Sequence, residues 1–286
     1  MKLVRYADNR GTSLGVVKND GVIELGKHWP AVRDDMIALI KMWPDIASAL
    51  PMLVADSAPD AALADVRLLA PVDRPGKILA IGLNYADHIR ETGQQTPPHQ
   101  IWFTKAVTSI NAPFDPVQLP AASEQVDYEA ELVVIIGQRC KHIAKERAPE
   151  VIFGYCAGND VSVRDWQLRT SQWVLGKSFD THAPIGPWIV TPDEIVDPHA
   201  LNIRCLVNGE LRQNSNTRHL IFNVFDQIAH LSNAMTLEPG DAIFTGTPGG
   251  VGLAMNPPRW LKAGDKVRVE IDRIGAIEAV MRAEAL

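Results

Sequence analysis

Glu129-Ala130-Glu131 stands at the mouth of the apolar run Leu132-Val133-Val134-Ile135-Ile136-Gly137. The run is β-branched and bounded by glycine, so it is predicted to be a buried strand. Residues i and i+2 of a strand share a face, which aims both carboxylates the same way. Like charges held that close repel unless something positive lies between them. A hard divalent cation, which takes carboxylate oxygens, meets that need; two glutamates facing water at a solvated strand end are the plain alternative. Asp160, in Gly158-Asn159-Asp160-Val161-Ser162, follows the predicted strand 153–157 and adds a third acid at a strand's C-terminal edge. Three carboxylates hold a doubly charged ion and leave other octahedral positions for water or substrate. Spacing alone does not bring Asp160 onto Glu129 and Glu131, and an Asn-Asp turn bonding its own backbone explains the same residues.

His88 and Glu91 form a second constellation. At i and i+3 of a helical turn they share a face, where a glutamate fixes the imidazole tautomer and raises its basicity. Over a cleft this is a general base; on a surface helix it is an ordinary ion pair. Gly246-Thr247-Pro248-Gly249-Gly250-Val251-Gly252 lacks the lysine-serine/threonine ending of a P-loop. It is suited to presenting backbone N–H groups and the Thr247 hydroxyl to a carboxylate or oxyanion, or it is a tight turn. Gly82-Leu83-Asn84-Tyr85 is no dinucleotide fingerprint, and neither zinc spacing nor a Gly-x-Ser-x-Gly elbow occurs.

The elements that must hold these groups are mostly strands. Residues 2–7, 13–18 and 22–25 read as strands around the turn Asn19-Asp20-Gly21. Helices are predicted at 33–42 and 46–53, divided by Pro44, with a linker at 55–64 and a domain boundary near residue 70. Beyond it, strands are predicted at 77–82, 102–104, 117–119 and 153–157, with a polar turn and short helix at 84–91 and a helix at 146–151. From 200 to 272 strands dominate (201–207, 242–245, 266–271), interrupted by a helix at 221–234. The irregular interval 171–187, with Lys177, Asp180, His182, two glycines and two prolines, is expected to be a site loop.

A formal charge of −6 over 286 residues gives no support for nucleic-acid or anionic-membrane binding. The three cysteines are odd in number and widely spaced, so no disulfide framework is expected. No apolar run reaches 18 residues and the N-terminus lacks a signal-like stretch, so a soluble cytoplasmic protein is expected.

Five segments together resemble the fumarylacetoacetate hydrolase family. They are Ile81-Gly82-Leu83-Asn84-Tyr85-Ala86-Asp87-His88, Val126-Asp127-Tyr128-Glu129-Ala130-Glu131-Leu132 and Gly158-Asn159-Asp160-Val161-Ser162-Val163-Arg164-Asp165, then Gly176-Lys177-Ser178-Phe179-Asp180-Thr181 and Thr245-Gly246-Thr247-Pro248-Gly249-Gly250-Val251-Gly252. The resemblance implies an α+β fold: a strand-rich mixed β-roll or sandwich over residues 71–286, preceded by a small N-terminal α+β domain at 1–70. It implies that Glu129, Glu131 and Asp160 bind Mg²⁺ or Mn²⁺, with Ca²⁺ as a non-physiological occupant. It makes His88 and Glu91 a dyad on a lid, sets Lys177 facing the metal-bound ligand with Arg164 and Gln167 near it, and brings Thr247 to the substrate's acid group. Lys105 falls where many members keep an active-site lysine, and Tyr85 joins the substrate-binding set. Members are usually homodimers. Arg218-His219 departs from the pairs common in the family.

The family's chemistry implies a divalent-metal-dependent hydrolase that cleaves the C–C bond of a 2,4-dioxo acid to pyruvate and a carboxylic acid. Acylpyruvates, fumarylpyruvate and diketo-deoxy sugar acids are the substrate types. The alternative is a tautomerase, isomerase or decarboxylase of a 2-oxo acid such as oxaloacetate at the same site. A non-catalytic binding protein of the same fold is expected to have lost a metal carboxylate or the dyad, and all five residues are present.

Overall fold

Alternating burial and tight turns build the N-terminal strands into a meander. Lys2–Asp8 (β1), Gly11–Lys18 (β2) and Gly21–Glu24 (β3) pair antiparallel in order. Asn19 takes the left-handed turn before Gly21 at φ 53°. The computed structural model describes residues 1–93 and 95–285. Helix α1 (Met36–Ile46) starts at Asp35, whose carboxylate accepts from the Ile37 and Ala38 N–H groups; α2 is Leu50–Asp56.

Pro44 was expected to divide two helices, but it lies inside α1. An interior proline costs about 3 kcal/mol. Burial of Met36, Leu39, Ile40 and Ile46 on this helix, each worth about 1.5–3 kcal/mol, outweighs that. The expected linker 55–64 likewise contains a strand, β4 (Ala61–Ala62), paired with β3; β5 (Arg67–Leu69) pairs with β1.

The remaining elements are β6 (Ile78–Gly82), α3 (Ala86–Thr92), β7 (Ile101–Thr104), β8 (Ile110–Asn111), β9 (Val117–Leu119), β10 (Val126–Asp127), β11 (Ala130–Ile136) and β12 (Ile152–Asn159). They continue through β13 (Ser162–Val163), α4 (Arg164–Gln167), β14 (Ala183–Val190), β15 (Asn202–Val207), β16 (Glu210–Asn216), α5 (Val224–Ala234), β17 (Ala242–Phe244), β18 (Lys266–Ile271) and β19 (Gly275–Ala283). The main sheet runs β4-β3-β2-β1-β14-β12-β11-β17-β6-β7, and a second sheet runs β16-β15-β18-β19-β9. The result is a strand-rich mixed α+β fold with a small N-terminal α+β domain, whose β1 joins the main sheet through Lys2↔Val190 and Leu3↔Ile189.

β11 is buried on both faces, as its unbroken apolar run requires. Leu132, Val134 and Ile136 meet Ile203, Cys205, Val267 and Val269 of the second sheet. Val133 and Ile135 face Phe153, Phe244 and α1. Two expectations are corrected, and one strand is added where none was predicted. The interval 171–187 ends in strand, because β14 buries Ala183, Ile185, Ile189 and Val190 despite its two prolines. Residues 145–151 form a 3₁₀ rather than an α-helix, with Pro149 inside it. Strand structure extends beyond 272 as β19, whose alternation buries Ile277, Ala279 and Met281. No single described helix is long and apolar enough to cross a membrane.

Candidate active site

The β11–β12 register assembles the acids. Ala130 lies opposite Asn159, and the Asn159 Oδ1 accepts the Glu129 N–H at 2.9 Å. One residue later the Asp160 N–H donates to the Glu129 carbonyl at 2.9 Å, folding Asp160 back beside the pair. One carboxylate oxygen from each of Glu129, Glu131 and Asp160 lies within 4.8 Å of the others. Relative exposures of 5, 1 and 0% rule out the solvated strand end.

Buried cations surround two of the three. Lys177 Nζ bridges Glu129 Oε2 (2.5 Å) and Asp160 Oδ2 (2.7 Å), and Lys105 Nζ reaches Asp160 Oδ1 at 2.6 Å. Arg164 joins Glu129 Oε1 (2.7 Å) to Asp127 Oδ2 (2.8 Å). Burial opposes ionisation of Glu129, but Arg164 and Lys177 overcome it and hold the carboxyl at about 2. Burial, with Asp160 and Glu129 alongside, pushes Glu131 well above the carboxylate range. Burial draws Lys105 down in spite of Asp160, whereas Asp160 and Glu129 raise Lys177 against the same effect.

These residues fit a divalent cation. Glu129, Glu131, Asp160 and Asp127 are four carboxylates against three cationic side chains, and no described cation pairs with Glu131. Among the described residues its Oε2 accepts the Gly246 N–H alone, at 2.7 Å. The carboxylate oxygens keep lone pairs for a metal, and an ion with oxygen bonds of about 2.0–2.6 Å matches their spacing.

The glycine-rich loop ties this cluster to the dyad. His88 Nδ1 lies 2.9 Å from Glu91 Oε1 on α3, and Glu91 Oε2 accepts the Gly250 N–H at 2.7 Å. Ser215 Oγ donates to Asp87 Oδ2 at 2.6 Å, a second fastening of the same helix. Gly250 has φ 101°, and a Cβ there meets the Arg212 carbonyl oxygen at 2.0 Å, so the turn requires glycine. Further on, Asp127 accepts from the Gly252 and Leu253 N–H groups at 2.8 and 2.9 Å while holding Arg164.

A cavity of about 70 Å³ lies among His88, Glu129, Glu131, Arg164, Lys177 and Thr247, walled by Phe103, Trp173 and Leu253. Gln167 also lines it and accepts from Arg164 at 2.8 Å. An open groove of about 850 Å³ around Tyr128, Arg212 and Trp260 is larger but holds none of the acid cluster. Convergent charged groups, rather than volume, mark the smaller cavity as the candidate active site. Lys105 and Tyr85 do not line it: Lys105 backs Asp160, and Tyr85 is fully buried with its hydroxyl unpartnered among the described residues. Arg218 and His219 are exposed on the turn after β16. Sequence reasoning missed Asp127 and Gln213 as organising residues; Asp127 stood in a quoted motif, but nothing local marked Gln213.

Asp180 and His182, expected in a site loop, lie outside this cavity. His182 is wholly buried, its Nε2 donating to the Gln118 carbonyl at 2.7 Å, and burial lowers it to about 3 from 6.5. The unfolded chain binds this proton below pH 6.5 and the folded chain only near pH 3. Stability present above pH 6.5 is therefore lost as pH falls through that window, at up to about 1.4 kcal/mol per pH unit. In urea unfolding at pH 7 and pH 5, His182→Gln is expected to flatten this dependence; an unchanged slope contradicts it.

Residues 77–282 match the family described as fumarylacetoacetate (FAA) hydrolase C-terminal, and residues 1–71 match one described as Rv2993c-like, N-terminal. The chain is 42% identical over 283 residues to the mitochondrial oxaloacetate tautomerase of Xenopus laevis, covering 97% of this chain and 89% of the relative. It is 43% identical over 258 residues to the corresponding protein of Rattus norvegicus, covering 90% and 82%. Among solved structures, a maleylpyruvate hydrolase from Sphingobium in complex with manganese (II) ion and pyruvate is similar along the full length of both chains, with TM-score 0.84 and 35% identity.

Proposed function

The chain belongs to the fumarylacetoacetate hydrolase family, and from that premise we propose that it is a divalent-cation-assisted tautomerase interconverting the enol and keto forms of a small 2-oxo acid, with oxaloacetate as the substrate. The observation that carries this reading is the small size, about 70 Å³, of the cavity between the acid cluster and His88. That volume suits a few waters or one compact acid in their place, and proton transfer needs only one base beside the bound acid. The two relatives named for oxaloacetate tautomerisation, at 42 and 43% identity, support the same choice. It reverses the order of the two readings drawn from the sequence.

In this proposal Glu129, Glu131 and Asp160 hold Mg²⁺ or Mn²⁺. The bound cation supplies Lewis-acid polarisation of the substrate's carboxylate and 2-oxo oxygens. The Glu91 carboxylate keeps the His88 proton on Nδ1, which leaves Nε2 as the basic nitrogen. His88 Nε2 then takes a proton from the carbon beside the 2-oxo group, leaving the charge on the 2-oxo oxygen, and delivers that same proton to the oxygen to give the enol; the reverse transfer, from enol O–H to carbon, restores the keto form. The Lys177 ammonium stabilises negative charge developing on that oxygen. Phe103 and Trp173, which wall the cavity, limit its contact with bulk water in this proposal.

C–C hydrolysis is the second reading, favoured by the similarity to a maleylpyruvate hydrolase. It requires His88 to deprotonate a water aimed at the distal carbonyl. Incubation with Mg²⁺ and a series of acylpyruvates, fumarylpyruvate and a diketo-deoxy sugar acid separates the two. Little or no pyruvate release supports tautomerisation, whereas stoichiometric pyruvate at substantial turnover makes hydrolysis the function.

A further inference from the structure

Gln213, on β16, is wholly buried between the strand carrying the acids and the glycine-rich loop. β17 stops at Phe244, opposite Val133, and leaves the Ala130 N–H without a partner from that strand. Gln213 Oε1 accepts this proton at 2.9 Å, while its Nε2 donates to the Pro248 carbonyl and to Thr247 Oγ1, each at 2.8 Å. Chemistry fixes which end of the amide is oxygen. A backbone N–H only donates and a carbonyl only accepts, so the flipped amide loses both bonds. Thr247 Oγ1 is therefore an acceptor toward Gln213, and its own proton points elsewhere. Thr247 lines the cavity.

We propose that Gln213 is a positioning residue that fixes the Thr247 hydroxyl as a donor into the cavity, where it meets the acid group of a 2-oxo acid. This rests on the reading that the substrate's carboxylate lies at Thr247. Because Gln213 also holds Ala130, between Glu129 and Glu131, one amide sets the threonine's position relative to the candidate cation ligands.

The test is a double-mutant cycle with two readouts, KM for oxaloacetate and the dissociation constant of pyruvate in Mg²⁺. Gln213→Met removes the donor without adding charge and is expected to raise both about fivefold, with kcat changed less than about twofold. Gln213→Glu, the second variant should the first not fold, draws the hydroxyl proton toward itself and is expected to raise both about tenfold. In a Thr247→Val background Gln213→Met is expected to add less than about twofold, and Gln213→Glu no more than about threefold from its added charge. Equal fold-changes in both backgrounds, or no change in either readout, overturn the role of Gln213. If Thr247→Val alone leaves both readouts unchanged, the carboxylate does not lie at Thr247 and the underlying reading fails instead.

Discussion

Replacing Glu131 with glutamine is expected to weaken Mg²⁺ binding at least about 100-fold and to lower turnover in proportion at limiting metal, while raising the stability of the metal-free protein. Both effects have one cause. Glu129 and Asp160 are compensated by directly paired Lys177, Arg164 and Lys105, whereas Glu131 pairs with no cation among the described residues and accepts the Gly246 N–H. Its carboxyl is pushed well above the usual range by burial and by Asp160 and Glu129. An uncompensated buried charge destabilises the fold until a cation meets it, and glutamine keeps the shape while removing the charge. Calorimetric Mg²⁺ titration, paired with urea unfolding in chelator, reads both quantities. Unchanged metal affinity, or a less stable metal-free variant, contradicts the assignment.

His88→Ala is the second large effect. Loss of a general base lowers kcat by about 10²–10⁴-fold, and Mg²⁺ affinity is expected to stay within about twofold because His88 is not among the candidate ligands. Glu91→Gln should fall between this variant and the wild type. It weakens the hold on the imidazole tautomer and the contact with the Gly250 N–H, but leaves the ring in place. Steady-state rates beside metal titrations check the pair; full activity in His88→Ala removes the dyad from the mechanism.

Much of this site was legible because its residues sit in local patterns. The Glu-x-Glu pair at a strand mouth, the acid after a strand and the i,i+3 His–Glu pair each state a geometry within a few residues. What joins them is non-local. The β11–β12 register brings Asp160 to Glu129, and Asp127 and Gln213 reach across more than 80 residues to the glycine-rich loop and β11. No short spacing encodes such contacts. The fold followed the same division. Hairpins with strong turn residues, such as Asn19-Asp20-Gly21 between β2 and β3, were readable from composition. β14 and the C-terminal part of α1 were hidden by prolines that tertiary burial overrides.

The most direct measurement is the decay of the enol absorbance of freshly dissolved enol-oxaloacetate, followed by stopped flow with the protein and Mg²⁺ and repeated in chelator. The expected result is a protein-dependent acceleration that disappears without the cation, with no pyruvate formed beyond spontaneous decarboxylation. Enol decay at the uncatalysed rate under the same conditions, from protein that binds Mg²⁺, contradicts the proposed function.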